Sequence, residues 1–303
     1  MSVAAKAFEW FGLHKLVRRV VFEGTITNIE PLRVGAGRAA ATFEPVDLVV
    51  VKITTADGKS IPYIPGSSLK GVFRSYVVKL MRSAELAVCG GVPGDTCLKG
   101  DEFEELEKHR ASYESLVENI ANALPKPICL ACLMFGSPGL ASHIRFYDSY
   151  PTDGYRLGYR TMVAIDRRTG TAKPRALFSV EYVEPGAKFS FRVEFVNLPN
   201  YAIGVVAESL LDMHMGLLKI GGLKTRGFGW VKIENLKVYG YDYRGGAELK
   251  DSIPALDPLD VDVKVVESSW LETLKNFANA WRGALQKLRK VSESGWRWSS
   301  CLV

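Results

Sequence analysis

The sequence predicts an α+β fold with a ferredoxin-like (RRM-like) core, an inserted helical lid and a long β-hairpin. Three observations carry that prediction. Strand–helix units occur twice in the order of a split βαβ core, and each unit has a long interruption. A loop-rich segment follows the first helix, and a cationic hairpin precedes the second.

Taken in order, Val20 to Ile29 alternates loosely as a strand, and Pro31 to Gly37 makes a glycine-punctuated turn. Val46 to Thr55 reads as a second strand, with Asp57-Gly58 marking a hairpin. After Ile61 to Ile64, the run Pro65-Gly66-Ser67-Ser68 leads into an amphipathic helix from Leu69 to about Leu86. Leu69, Val72, Phe73, Tyr76, Val77 and Leu80 follow helical spacing, and a serine at the cap suits the start.

Residues from about 87 to 141 form the inserted lid: a Gly/Pro loop, a charged helix from Asp101 to about Leu124, then a Pro-x-Pro stop. Strand-like segments resume at Ser142–Tyr147 and Thr161–Asp166. Asp166 to Gly170 turns the chain, Ala176–Glu184 returns, and Lys188–Val196 alternates again. Tyr201 to Leu218 is a second core helix leading through a glycine loop into a strand ending near Val238. The chain thus divides into a core over 1–250 and an extension over 251–303. The extension holds a basic amphipathic helix, Trp270 to about Val291, and a frayed tail.

Bulk composition narrows the function classes. The 39 Lys and Arg exceed the 33 Asp and Glu, a balance of +6 that favours a polyanionic partner without identifying it. Acidic residues gather in Asp101–Glu118, so the remainder is more basic than the average. No apolar run reaches the roughly eighteen residues of a membrane span, and charges break every apolar segment near the N-terminus. A cytoplasmic protein without a membrane partner is the expectation. An odd count of five cysteines argues against a secreted disulfide scaffold.

Two motifs carry binding chemistry. In Gly221-Gly222-Leu223-Lys224-Thr225-Arg226-Gly227-Phe228-Gly229-Trp230-Val231, glycines let backbone amides approach phosphate oxygens while Lys224 and Arg226 add charge. Arg226 to Val231 also reads like the RRM strand signature, although Ile233 stands where an aromatic is wanted. The second is Ile64-Pro65-Gly66-Ser67-Ser68-Leu69-Lys70-Gly71-Val72-Phe73-Arg74. It places a helix N-terminus beside two hydroxyls, with Lys70 and Arg74 one turn apart. Each motif has a plainer reading, a bend into a strand and an ordinary capped helix.

Cys89, Cys97, Cys129 and Cys132 form a third group. The last two have the C-x2-C spacing that bites a zinc ion, but seven residues separate the first pair. His109 is a substitute ligand, and a disulfide or simple buried thiols are the rivals. Cys301 is expected to be free. The four histidines are scattered and make no triad or His-pair metal site.

These segments, with Cys129-Leu130-Ala131-Cys132-Leu133-Met134-Phe135-Gly136-Ser137 between them, resemble the RAMP superfamily of CRISPR-associated proteins. More narrowly, they resemble the backbone subunits of type III (Csm/Cmr-type) interference complexes. The resemblance covers most of 20–240. It implies a ferredoxin-like palm that grips guide (crRNA) phosphates and copies that stack into a filament with other effector subunits. It places Ser67, Ser68, Lys70, Arg74, Gly222, Lys224 and Arg226 against phosphates. A thumb hairpin, roughly Tyr159 to Phe178, would wedge into the guide–target duplex with Arg160, Arg167, Arg168, Lys173 and Arg175.

The same resemblance nominates Asp47 for target-RNA cleavage, with Glu44 as the alternative acid. A ribose 2′-OH would attack its own phosphate, giving a cyclic phosphate and a 5′-OH. The carboxylate would accept the proton or hold Mg²⁺ or another divalent cation. A stand-alone guide-processing endoribonuclease and an inactive RNA-binding scaffold are the alternatives.

Overall fold

The computed structural model describes residues 6–35, 46–92, 94–98, 113–123 and 126–302. Glu44 and His109 lie outside these residues, and the side chain of Arg175 is not described.

The first half of the chain contains β1 (Arg18–Asn28), the small hairpin β2 (Lys52–Thr54) and β3 (Ser60–Pro62), and helices α1 (Gly66–Ser83), α2 (Tyr113–Ala121) and α3 (Leu130–Phe135). Then come β4 (Ile144–Phe146), the hairpin β5 (Leu157–Ile165) and β6 (Ala172–Val183), β7 (Lys188–Val196) and α4 (Asn200–His214). The last part holds β8 (Val231–Asp242), β9 (Ala247–Leu249), the short pair β10 (Ser252–Ile253) and β11 (Val263–Lys264), and α5 (Trp270–Glu293).

The main sheet runs β4-β7-β1-β8-β9 and every pairing in it is antiparallel. With α1 after β1 and α4 after β7, this is the ferredoxin-like order that the doubled strand–helix units predict. Strand alternation fixes which face is covered. Val20, Phe22 and Ile26 of β1 and Phe189, Phe191, Val193 and Phe195 of β7 are buried in the core. Phe22 meets Phe195 and Phe277 edge-on, with ring centroids 5.0 and 5.3 Å apart.

The segment after residue 250 is less separate than its sequence suggests. Helix α5 buries Leu274, Phe277, Trp281, Ala284, Leu288 and Val291. Its apolar face lies against α4, where a side chain at Gly204 would strike the carbonyl oxygen of Phe277. The tail does not fray either. Trp296 and Trp298 are buried, and Trp298 packs against Phe8, Trp10 and Phe11 at 6.0, 6.1 and 5.3 Å. Two indoles remove enough apolar surface from water to hold a short terminal segment.

The described part of the predicted lid likewise shares the main core. All six residues of α3 are buried there, as are Leu98, Val117 and Ile120. Nor does a serine cap α1. Its cap residue is Pro65, without a side-chain bond, and Asp148 Oδ1 accepts from Gly66 N at 2.7 Å.

A buried polar network ties the loop after β10 to the core. Asp260 accepts from Asn200 N at 2.9 Å, and Arg18, itself buried, lies 3.8 Å from it. Asp257 accepts from Trp10 Nε1 and Tyr201 Oη, both at 2.8 Å. Burial first, and then repulsion from Asp260, push the Asp257 carboxyl up to about 7 from an ordinary 3.8. The folded chain therefore holds this proton more tightly than the unfolded one. The contribution is fully present below about pH 4 and is lost as pH rises through about 7. Melting temperature measured from pH 5 to 8 is expected to fall, with Asp257→Asn flattening the slope. Over that pH range the effect is at most about 3 kcal/mol.

Among the described residues, no helix is long and apolar enough to cross a membrane.

Candidate nucleic-acid interface

The two motifs with binding chemistry meet. An open groove of about 550 Å³ is lined on one wall by Ser67, Ser68, Gly71, Ser75 and Lys79 of α1, and on the other by Gly221 and Lys224. Val34 and Gly35 join it from the turn after β1. Ser67, Gly71, Ser75 and Lys79 recur every four residues, so one exposed helical strip of small side chains faces the groove and ends in a cation. Small residues let a strand approach the helix backbone closely.

The glycine loop is shaped by positions that admit no side chain. Gly221 and Gly229 have φ of 75° and 92°, and a Cβ at either would collide with a carbonyl oxygen, of Arg33 and Ile220 respectively. The loop uses several amides for its own closure. Gly222 N donates to Arg33 O at 2.8 Å, Arg226 N to Leu223 O at 2.8 Å, and Gly229 N to Pro31 O at 3.1 Å. Most of its capacity for an anion therefore lies in side chains. Partial burial, then repulsion from Lys79, lower the pKa of Lys224. Two cations that repel across a groove are relieved by a polyanion between them.

Other predicted residues are placed differently. Arg74 turns away from the groove and donates to Gly136 O at 2.9 Å, with Nη2 3.8 Å from Cys132 Sγ. Lys70 is half buried beside it, and burial followed by the Arg74 charge lowers its pKa. Neither lines the groove. Arg226 is exposed on the loop. All the residues matching the RRM signature except Val231 precede β8 instead of lying on it, and Phe228 is fully buried. Phe228 meets Tyr182 edge-on at 5.6 Å, with the Arg160 guanidinium 5.2 Å from its ring. That cation–π contact joins the base of the β5–β6 hairpin to the glycine loop.

The hairpin has the longer arms Leu157–Ile165 and Ala172–Val183 and forms its own two-stranded ribbon. Asp166 Oδ1 shapes its tip by accepting from Arg168 N at 2.8 Å and Thr169 N at 3.2 Å. Arg167, Arg168 and Lys173 are exposed there. Tyr159, Val163, Ile165 and Leu177 are exposed along the arms, so the ribbon presents apolar as well as cationic surface.

Asp47 is locked to the hairpin base. Its Oδ2 accepts from Ser179 N at 2.7 Å and Ser179 Oγ at 3.0 Å. These bonds, the backbone one foremost, hold its pKa below the usual carboxylate value. It is a weak proton acceptor near neutrality. Glu181 fastens the same segment by accepting from Val50 N at 3.0 Å and Lys52 Nζ at 2.7 Å. Val50 in turn bridges Gly35 of the groove wall, so one short segment connects groove and hairpin base. Among the described residues, no group of three metal-ligating side chains forms at Asp47. The described residues do not build a divalent-cation site there.

Such a group does form elsewhere. The sulfurs of Cys89, Cys97, Cys129 and Cys132 all lie within 4.8 Å of one another. Cys89 Sγ is 3.6 Å from Cys97 and Cys129 and 3.1 Å from Cys132, and Cys129 N donates to Cys97 Sγ at 3.4 Å. Four thiol donors at mutual distances near those of a tetrahedral site fit zinc chemistry. The Arg74 guanidinium supplies the adjacent positive charge that a four-thiolate site favours. Cys301 is free, and its thiol donates to Trp298 O at 2.6 Å.

Sequence reasoning missed Gly71, Ser75 and Lys79, whose spacing along α1 was a usable signal, and Arg33, whose environment only the fold reveals. Comparison with known families matches a RAMP superfamily profile to residues 25–232. Comparison with curated proteins returns no match.

Proposed function

The chain belongs to the RAMP superfamily, and from that premise we propose that it binds CRISPR guide RNA as a backbone subunit of a type III effector complex. The observation that carries this reading is the single groove shared by the α1 strip and the glycine loop. A ribose-phosphate strand laid there would meet Lys79 and Lys224 with its phosphates, and the hydroxyls of Ser67, Ser68 and Ser75 with its phosphates or sugars. Contacts of this kind read the backbone and not the bases, so binding is largely independent of sequence and sensitive to salt. Arg160 and the exposed cations at the hairpin tip extend the positive surface toward a complementary strand. One groove covers few nucleotides, which fits repeated copies along a guide beside other subunits. Four cysteine thiolates would hold one structural zinc ion that fastens α3 to the loop around Cys89 and Cys97.

Target cleavage is a separate proposition. Asp47 lies beside the base of the hairpin that would wedge into a target strand, and its lowered pKa keeps it ionised. Its carboxylate would act there by charge and positioning. The test incubates the purified protein with repeat RNA, and with guide plus complementary target in divalent-cation buffer. Retention of guide with cutting of the target only, lost in Asp47→Ala without loss of guide binding, is the expected outcome. Cutting of repeat RNA alone would favour a guide-processing enzyme, and binding without cutting a scaffold. Failure to retain any RNA would remove the proposal.

A further inference from the structure

We propose that Arg33 is a built-in anchor for one phosphodiester of the strand in this groove, an inference that rests on the RNA-binding reading above. Arg33 is only 9% exposed. Among the described residues no carboxylate forms an ion pair with it, and its buried Nε has no hydrogen-bond partner. The nearby acid on its own segment, Glu30, is already committed to Lys219 Nζ at 2.8 Å and Trp230 N at 3.1 Å. Burial lowers the pKa of the guanidinium below its ordinary value, yet it stays charged near neutrality. A buried, unpaired charge is destabilising unless something compensates it.

The guanidinium is framed by Gly35 of the groove wall and by Gly222 of the glycine loop. A Cβ added at Gly35 would lie 2.8 Å from Nη2, and one at Gly222 would lie 3.2 Å from Nη1. Gly35 lines the groove, and Gly222 sits between Gly221 and the loop that carries Lys224. The guanidinium lies beside the groove lining at Gly35, and neither Gly35 nor Gly222 carries a side chain that would cover it. The Arg33 backbone is fixed as well, because its carbonyl accepts from Gly222 N. A planar fork held this way suits two phosphate oxygens better than a mobile surface lysine does. Arg33, Lys79 and Lys224 then make three points on one path, with Arg33 the rigid one.

The experiment compares wild type, Arg33→Met and the pair Lys79→Ala with Lys224→Ala, using a single-stranded RNA oligonucleotide over a series of salt concentrations. Arg33→Met is expected to bind roughly tenfold to a hundredfold more weakly. Its log–log salt dependence should be shallower by about 0.7, the value of one lost phosphate contact. Its melting temperature without RNA should hold or rise, because an uncompensated charge has left the interior. A purely structural arginine would give the reverse, with a lower melting temperature and unchanged affinity. Should Arg33→Met fail to fold, Arg33→Gln carries the same readouts. Wild-type binding by the Arg33 variant while the lysine pair is weakened would overturn the proposal alone. Wild-type binding by both would remove the groove itself.

Discussion

Replacing Cys132 with alanine is expected to lower the melting temperature by more than about 10 °C and to release one zinc ion per chain. Cys132 is fully buried within α3, whose six residues all contribute to the main core. Losing one ligand opens a four-thiol cluster and leaves three sulfurs packed together without the ion that would hold their charge apart. The damage would spread along Arg74, which touches both Cys132 Sγ and the carbonyl closing α3, and so reach α1 behind the groove. Cys301→Ala, outside the cluster, should change melting little. Metal content of the purified protein and melting with and without a chelator measure both effects. A metal-free wild type that melts like Cys132→Ala would show that the cluster is merely four buried thiols. A melting temperature that falls with reductant and ignores chelator would point to a disulfide.

Charge reversal of Lys79 and Lys224 together should weaken single-stranded RNA binding by about two to three orders of magnitude at moderate salt. The two side chains come from opposite walls of one groove and are exposed, so their replacement leaves no cavity. Melting should therefore stay within a few degrees of wild type, which separates lost binding from lost folding. Filter binding beside thermal melts is sufficient. Loss of affinity with intact melting is the expected pair of results.

The core was legible because its periodicities are strong. Phe189, Phe191, Val193 and Phe195 alternate so regularly that β7 follows from the pattern, and the two strand–helix units imply the sheet order. The face of α1 was harder to read. Lys70 and Arg74 recur every four residues, but so do Gly71, Ser75 and Lys79, one position along. The choice between these strips is made by Gly136, 62 residues from Arg74, whose carbonyl captures its guanidinium. Similarly, Phe228 completes a sequence signature, but Tyr182 and Arg160 draw it into the interior. The apolar stripe of α5 was visible in sequence, whereas its seat against Gly204 depends on a contact across the whole fold. Arg33 looks like any arginine in a turn until Gly35 and Gly222 close around it. Asp47 was nominated by the family resemblance, and Ser179, 132 residues away, sets what that carboxylate can do.

The most direct measurement is the slope of log affinity against log salt for single-stranded RNA, taken for wild type and for Lys79→Ala with Lys224→Ala. If phosphates lie between α1 and the glycine loop, the slope becomes shallower by about 1.4, two contacts at roughly 0.7 each. An unchanged slope and affinity would mean that the strand lies somewhere else on the molecule.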